Sequence, residues 1–421
     1  MTAKNNIPAD YKDSAVGIIP QEWEVKRLAE LCQNTGDYGI NAPAVPYRED
    51  LPTYLRITDI DSWGKFIKTD KASVENPNSS QFILRDGDIV FARTGATVGK
   101  TYLYDSKDGQ LVFAGFLIRF TPNSNKAVPY YIKACTETAS YWNWVRVISQ
   151  RSGQPGINSV EYGAMKLAVP PIEEQRKIAE ILGVWDEAIE KQSRLIEKLE
   201  LRKRALMQRL LTGRTGLTGR TRLPGFTTPW QKVKLGEISE EFVLRNTDDN
   251  NYIVLSCTKY NGLVSSLDYF GKQIFSDNLR TYKVVPKYHF AYATNHIEEG
   301  SIGYQGSYDY ALISPMYTVF KADDTKVDNY FLYTLLKTPL MIYNYQSRIE
   351  GSIDRRGGLR WDAFAGIIIK LPSLPEQKAI AEVLTTADDE IATHRKKLDA
   401  LRLQKLSLMQ QLLTGKTRVK I

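Results

Sequence analysis

Two stretches of the chain repeat an apolar side chain in alternating steps of four and three. Ile178, Leu182, Trp185, Ile189, Gln192, Ile196, Leu199, Lys203, Leu206 and Leu210 keep this rhythm in the first. Ile380, Leu384, Ala387, Ile391, His394, Leu398, Leu401, Lys405, Leu408 and Leu412 keep it in the second. Such spacing lays a narrow apolar stripe along a helix, as in the seam of a coiled coil. Both stretches begin at Glu-Gln behind a proline breaker and end at Thr-Gly. Two unbroken helices of roughly 60 Å each are predicted. Elsewhere the pattern shortens. Ile89-Val90-Phe91-Ala92 follows Asp86-Gly87-Asp88, and Thr101-Tyr102-Leu103-Tyr104 runs into Asp105-Ser106-Lys107-Asp108-Gly109. These read as two strands around a glycine-rich turn. Trp142 and Trp144 alternate as on a half-buried face and are read as core.

The two helical stretches are copies. "PPIEEQRKIAEIL" (Pro170–Leu182) returns as "PSLPEQKAIAEVL" (Pro372–Leu384), and "LMQRLLTGRT" (Leu206–Thr215) as "LMQQLLTGKT" (Leu408–Thr417), both 202 residues later. Twenty of the 46 positions from Pro170 to Thr215 match their partners, which is too many for two unrelated helices. "WEVKRLAEL" (Trp23–Leu31) likewise answers "WQKVKLGEI" (Trp230–Ile238). A period this long implies a duplicated domain rather than a solenoid. The expected segments are globular 1–170, helical 171–215, globular 216–372 and helical 373–421. The expected class is α+β, with an internal pseudo-two-fold axis.

Charge orients the helices. Glu173–Glu190 holds six acids and two bases, whereas Lys191–Arg222 holds two acids and ten bases. The second copy repeats this gradient, from five acids and one base over Glu376–Ala392 to one acid and eight bases over Thr393–Ile421. Antiparallel pairing sets each acidic half beside a basic half; parallel pairing stacks like on like. Reflection about Arg194 brings Ile189 near Leu401, Leu199 near Ile391, and Lys405 beside Trp185, where a cation–π contact could form.

"ARTGATVGKT" (Ala92–Thr101) ends like a phosphate-binding P-loop. That loop needs glycine five positions before its Gly-Lys-Thr, and Thr94 stands there. Gly95 comes one place late, and a strand-like run follows where a helix should. A P-loop NTPase is therefore a poor rival reading. The net charge of +8 and pI near 9.0 invite a polyanionic partner. Cys32, Cys135 and Cys257 are scattered and odd in number, which suits a reducing cytoplasm. No zinc-ligand spacing, membrane-span pattern or signal peptide is evident, and no metal is expected. The only Pro-Pro is Pro170-Pro171, without the Asn/Asp and Tyr/Phe of an adenine methyltransferase element. No Gly-x-Gly-x-x-Gly occurs, and Glu24-Val25-Lys26 is a tripeptide common by chance. No catalytic residue is assigned.

Two variable segments alternating with two helical repeats, the Glu-Gln…Ile-Ala…Leu signature and the Leu-Leu-Thr-Gly endings together resemble the DNA-specificity subunits of type I restriction-modification systems. Gly153-Gln154-Pro155-Gly156-Ile157-Asn158 also resembles an element of that family, while Gly351-Ser352-Ile353-Asp354-Arg355 departs from it. The resemblance covers essentially the whole chain. It implies a non-catalytic, cytoplasmic subunit whose two domains each read one half of a bipartite double-stranded DNA target. The helices would set the unread spacer and dock two adenine-N6 methyltransferase subunits, and motor–nuclease subunits would complete the complex. S-adenosylmethionine, ATP and Mg would then belong to the partners, with no cofactor on this chain. A type IIB-like recognition subunit shares the architecture, and a coiled-coil interaction protein that ignores DNA is a third reading.

Within that resemblance the hairpin's Arg93, Thr94 and Lys100 are expected to meet phosphates or base edges. Gln150, Arg151, Ser152, Gln154 and Asn158 concentrate side chains suited to guanine and adenine edges. In the second half the candidates are Tyr292, Asn295 and Tyr304, with His296 read as a bystander, and then Arg348, Arg355, Arg356 and Arg360.

Overall fold

The computed structural model describes residues 7–212, 222–349 and 358–420. The chain is a mixed α/β protein of two compact units. One is Met1–Ser193 with Lys396–Ile421, the other Arg194–Arg395. These units cut across the segments expected from the repeat, because each takes half of both long helices.

In the first unit, strands β1 (Glu24–Arg27), β2 (Asp37–Tyr38), β3 (Ile89–Ala92), β4 (Thr101–Leu103), β5 (Leu117–Phe120) and β6 (Lys166–Val169) precede or alternate with helices α1 (Pro129–Cys135), α2 (Ala139–Ile148) and α3 (Ser159–Gly163). The central antiparallel sheet has the order β2-β5-β3-β4, and β1 pairs with β6. All four residues of β3 are buried, so its Ile-Val-Phe-Ala run reads as a strand covered on both faces. Asp88, at its mouth, is itself buried, and its carboxylate accepts a 2.6 Å bond from the Thr121 hydroxyl. Trp23, Phe91, Phe120, Tyr131 and Tyr162 fill the core. Trp144 packs against that core, but Trp142 is 42 % exposed, contrary to the sequence reading. The segment is a helix with Tyr141 and Val145 inward, and one helical step turns Trp142 away from them.

The second unit repeats this plan. Strands β7 (Gln231–Lys234), β8 (Ser239–Glu241), β9 (His289–Ala293), β10 (Ile302–Tyr304), β11 (Tyr317–Ala322) and β12 (Ile368–Leu371) correspond one to one. The sheet order is β8-β11-β9-β10, and β7 pairs with β12. The register is kept as well: Phe91 faces Ile118 in one unit, and Tyr292 faces Thr318 in the other. Between strands lie α5 (Asn329–Leu336), α6 (Pro339–Gln346) and α7 (Trp361–Ala365).

The two long helices are α4 (Ile172–Thr212) and α8 (Leu374–Leu412). Every one of the twenty stripe positions is buried or half-buried, whereas Val184, Leu201 and Leu403 off the stripe are 64 %, 58 % and 69 % exposed. Within the first unit Ile178 and Leu182 of α4 share one core with Met409, Leu412 and Leu413 near the end of α8. Within the second, Leu210 and Leu211 share one with Ile380 and Leu384. Glu174 accepts from Arg418 Nε at 2.7 Å, and Asp186 from Lys405 Nζ at 2.8 Å. In the second unit Glu376 accepts from Arg222 Nε at 2.9 Å, and Asp388 is paired with Lys203. The ammonium of Lys405 therefore goes to carboxylates and not to the Trp185 ring, one residue from the expected neighbour. A half-dry cation is better satisfied by full countercharge than by a ring face.

Candidate nucleic-acid interface

In the first unit the β3–β4 connection is a short 3-10 turn, Gly95–Thr97, with Gly95 at φ +73° and Gly99 at φ +88°. A strand follows Lys100, so the P-loop context is absent. Lys100 is half-buried, and its Nζ donates to the Ile60 carbonyl at 2.9 Å, which ties the hairpin to that loop.

This turn meets the polar segment before α3. Gly95 N donates to Pro155 O at 3.0 Å, and Ile157 N to Arg93 O at 2.8 Å. At φ +73° Gly95 adopts a backbone conformation that L side chains rarely take, and an added Cβ would lie 2.8 Å from Nε2 of the exposed Gln154 side chain. Arg93 lies over the Tyr38 ring at 4.8 Å, and its backbone N donates to Phe116 O at 3.0 Å. Tyr38 in turn accepts from Ser159 N at 3.1 Å. The surface so assembled shows Arg93 and Thr94 half-buried, and Gln150, Ser152 and Gln154 exposed. Tyr38 and Phe116, 40 % and 58 % exposed, are members that sequence reasoning missed. Their signal is a fold-level contact between distant segments, which no local motif carries.

Two candidates have structural duties. Asn158 caps α3, accepting from Glu161 N at 2.9 Å, while Glu161 Oε2 accepts from Asn158 N at 2.9 Å. Arg151 is bonded to Glu161 at 2.5 Å and to two carbonyls at 2.9 Å each, although it remains exposed.

The second unit builds the same junction from different residues. Leu359 N donates to Thr294 O at 2.8 Å, as Ile157 does to Arg93, and Thr294 Oγ1 donates to Met316 O at 2.9 Å. Met316 thus takes the place of Phe116 and is 62 % exposed. Asn295 is half-buried beside this junction, and Arg360 is exposed at the start of α7. Arg348 is half-buried, donating to Asn344 O at 3.4 Å. Arg355 and Arg356 lie outside the described residues.

Tyr292 must be withdrawn from the candidate surface. It is fully buried, stacked on Phe364 at 4.8 Å, and burial holds its phenol well above the ordinary range. Aromatic residues in a central strand are more often core than surface, and this one is. Tyr304 packs on Phe290 at 5.0 Å, and burial pushes its hydroxyl up to about 12. His296, Glu298 and Glu299 bring one ligand atom each within 4.8 Å of one another. That grouping was not foreseen from sequence, and exposed carboxylates gather in this way without an ion.

The comparisons agree with this architecture. The type I restriction modification DNA specificity domain family matches residues 20–201 and again 228–403. The putative type I restriction enzyme MjaX specificity subunit of Methanocaldococcus jannaschii is 26 % identical over 98 % of this chain and 97 % of its own. The MjaVIII specificity subunit of the same organism is 24 % identical over 96 % of this chain and 94 % of its own. Among solved structures, a chain from work on complex assembly and conformational transition of the type I R-M system aligns with a TM-score of 0.54. It is 16 % identical over 95 % of this chain and 99 % of that one. The type I S subunit from M. genitalium gives 0.51 at 13 % identity over 98 % of each chain. No helix among the described residues is long and apolar enough to cross a membrane. With both halves matched in series across a duplicated fold, this chain belongs to the type I restriction-modification DNA specificity family.

Proposed function

We propose that each unit reads one half of a bipartite double-stranded DNA target through the junction of its β-hairpin with the segment before the short helix. The observation that carries this reading is the recurrence in both units of one backbone bond, from the segment before the short helix to the end of the hairpin strand, with different side chains around it. A shared frame with exchanged Arg93/Thr294 and Phe116/Met316 is what two different half-sites require. In this reading α4 and α8 form an antiparallel coiled coil about a pseudo-two-fold axis. The pair would fix the unread spacer and dock two adenine-N6 methyltransferase subunits, with motor–nuclease subunits completing the assembly in the cytoplasm. Four ion pairs that run in opposite chain directions support the orientation. The chain itself would do no chemistry and hold no cofactor. S-adenosylmethionine, ATP and Mg would serve the partner subunits. Methylome sequencing of a host carrying the gene tests this directly. A modified sequence of two defined parts with a fixed gap is expected, and an undivided or absent target would refute the proposal.

A further inference from the structure

Asp186 and Lys203 of α4 recur as Asp388 and Lys405 of α8, at the same positions of the repeat. In the first unit Asp186 accepts from Lys405 at 2.8 Å and from the hydroxyl of Tyr130 on α1. In the second, Asp388 is bonded to Lys203 and to the hydroxyl of Tyr330 on α5. Each acid is therefore held between a tyrosine of its own globular region and a lysine of the other long helix. Lys405 is buried and the other three are half-buried: the Lys405 and Asp186 side chains are 10 % and 25 % exposed, and those of Lys203 and Asp388 are 22 % and 40 %. Burial opposes the charge on Lys405, yet Glu137 and Asp186 hold its ammonium above the ordinary lysine range.

The geometry points to these four residues, Asp186, Lys203, Asp388 and Lys405, as the orientation code of the helical pair, the positioning residues that make the antiparallel arrangement the matched one. This deepens the antiparallel reading and rests on it. Because acid and base occupy identical places in the two copies, a parallel pair in the same register would set Lys203 against Lys405 in the stripe and leave Asp186 and Asp388, which flank it, with no lysine opposite. Two ammonium groups would then meet in the stripe, where water screens them only in part, and two carboxylates would lose their cations. Antiparallel pairing gives each lysine an acid instead, with a tyrosine hydroxyl on the second carboxylate oxygen. The apolar stripe alone cannot make this choice, since leucine and isoleucine pack in either direction. The two sites differ in one respect. Glu137 gives Lys405 a second carboxylate at 3.3 Å, whereas the corresponding Lys337 of the second unit is spent on the carbonyls of Lys259 and Gly300, both at 2.7 Å.

A charge-swap series in the full chain tests the code. One variant carries Asp186→Lys with Lys203→Asp, a second carries Asp388→Lys with Lys405→Asp, and a third carries all four with Glu137→Gln. Each also carries Ile189→Cys and Leu401→Cys, and bridging is mapped on peptides so that the native thiols do not confuse it. The single-helix swaps should lose the 189–401 bridge, melt lower or fail to fold, and direct at least ten-fold less methylation with partner subunits added. The four-fold swap should regain the bridge, the melting midpoint and the original target with its original gap. Single swaps that bridge as well as the parent, or a four-fold swap no better than the singles, would overturn the proposal. Bridging and melting involve no DNA. A four-fold swap that regains both, in a protein that directs no sequence-specific methylation, would therefore uphold the code and sink the DNA reading instead.

Discussion

At Gln175 the amide oxygen accepts from Val128 N at 2.9 Å while the amide nitrogen donates to Lys126 O at 3.2 Å and Pro170 O at 2.9 Å. Gln377 repeats all three bonds with Asp328, Lys326 and Pro372. The repeated Glu-Gln signature thus has a local cause, stitching the start of each long helix to the globular region before it. Gln175→Leu keeps the bulk but leaves one buried N–H and two carbonyls without partners. A loss of about 1–3 kcal/mol is expected, read as a lower urea midpoint, and an unchanged midpoint would refute it. Arg93→Ala should weaken the first half-site alone by about 1–3 kcal/mol if the guanidinium meets a base. Binding assays on duplexes altered in one half-site at a time check this, and equal losses on both would count against it. Burial pushes the Cys32 and Cys135 thiols up to about 12. Neither should therefore react with iodoacetamide in the native protein at pH 8, and rapid labelling there would show the first core to be open. Residue roles were the least legible part of the sequence. Lys100, Asn158 and Tyr292 are of types that contact DNA, and the fold uses them as a loop tie, a helix cap and a core ring.

Among elements, the long helices were the most legible, because a stripe of ten residues at a fixed period leaves few alternatives. Their partners were harder to read. Charge gradients gave a direction, and reflection came within one residue of the observed pairing of Lys405, yet the tyrosines that complete each site come from short helices with no comparable period. The hairpin around Gly95 and Gly99 was legible from its glycines and flanking strands. Its union with Pro155 and Ile157 was not, since the backbone bonds responsible join residues about sixty positions apart. A Gly95→Ala substitution tests that union: at φ +73° the new side chain strains the turn, and Gln154 Nε2, 2.8 Å from the new Cβ, must move aside. It should lower affinity for the first half-site while leaving helicity by circular dichroism unchanged, and full affinity would mean that the junction does not read DNA.

For the whole molecule, duplication makes a specific demand. A fragment ending near Arg214 keeps the first globular region and all of α4, whose apolar stripe would contribute roughly 1.5–3 kcal/mol per buried Leu or Ile on finding a partner. Its Asp186 and Lys203 are complementary to those of a second copy running the other way, so a two-fold dimer is expected. With methyltransferase added, it should modify a palindrome of the first half-site. A monomer by light scattering, or modification of a non-palindromic site, would break the symmetry argument. The first unit also takes in residues 396–421. Tyr11 donates to Gly415 O at 2.8 Å, Arg418 clasps Glu174, and Val419 packs on the core that holds Trp23. On the ribosome this reverses the usual order, since every residue of the second unit is synthesised before the first can close. The unit begun earlier must wait for the later-made residues 396–421 to complete it. A premature stop just before Gly415 would therefore do its damage in the unit begun earlier, and a chaperone guarding an unfinished chain would be guarding residues made about two hundred positions before.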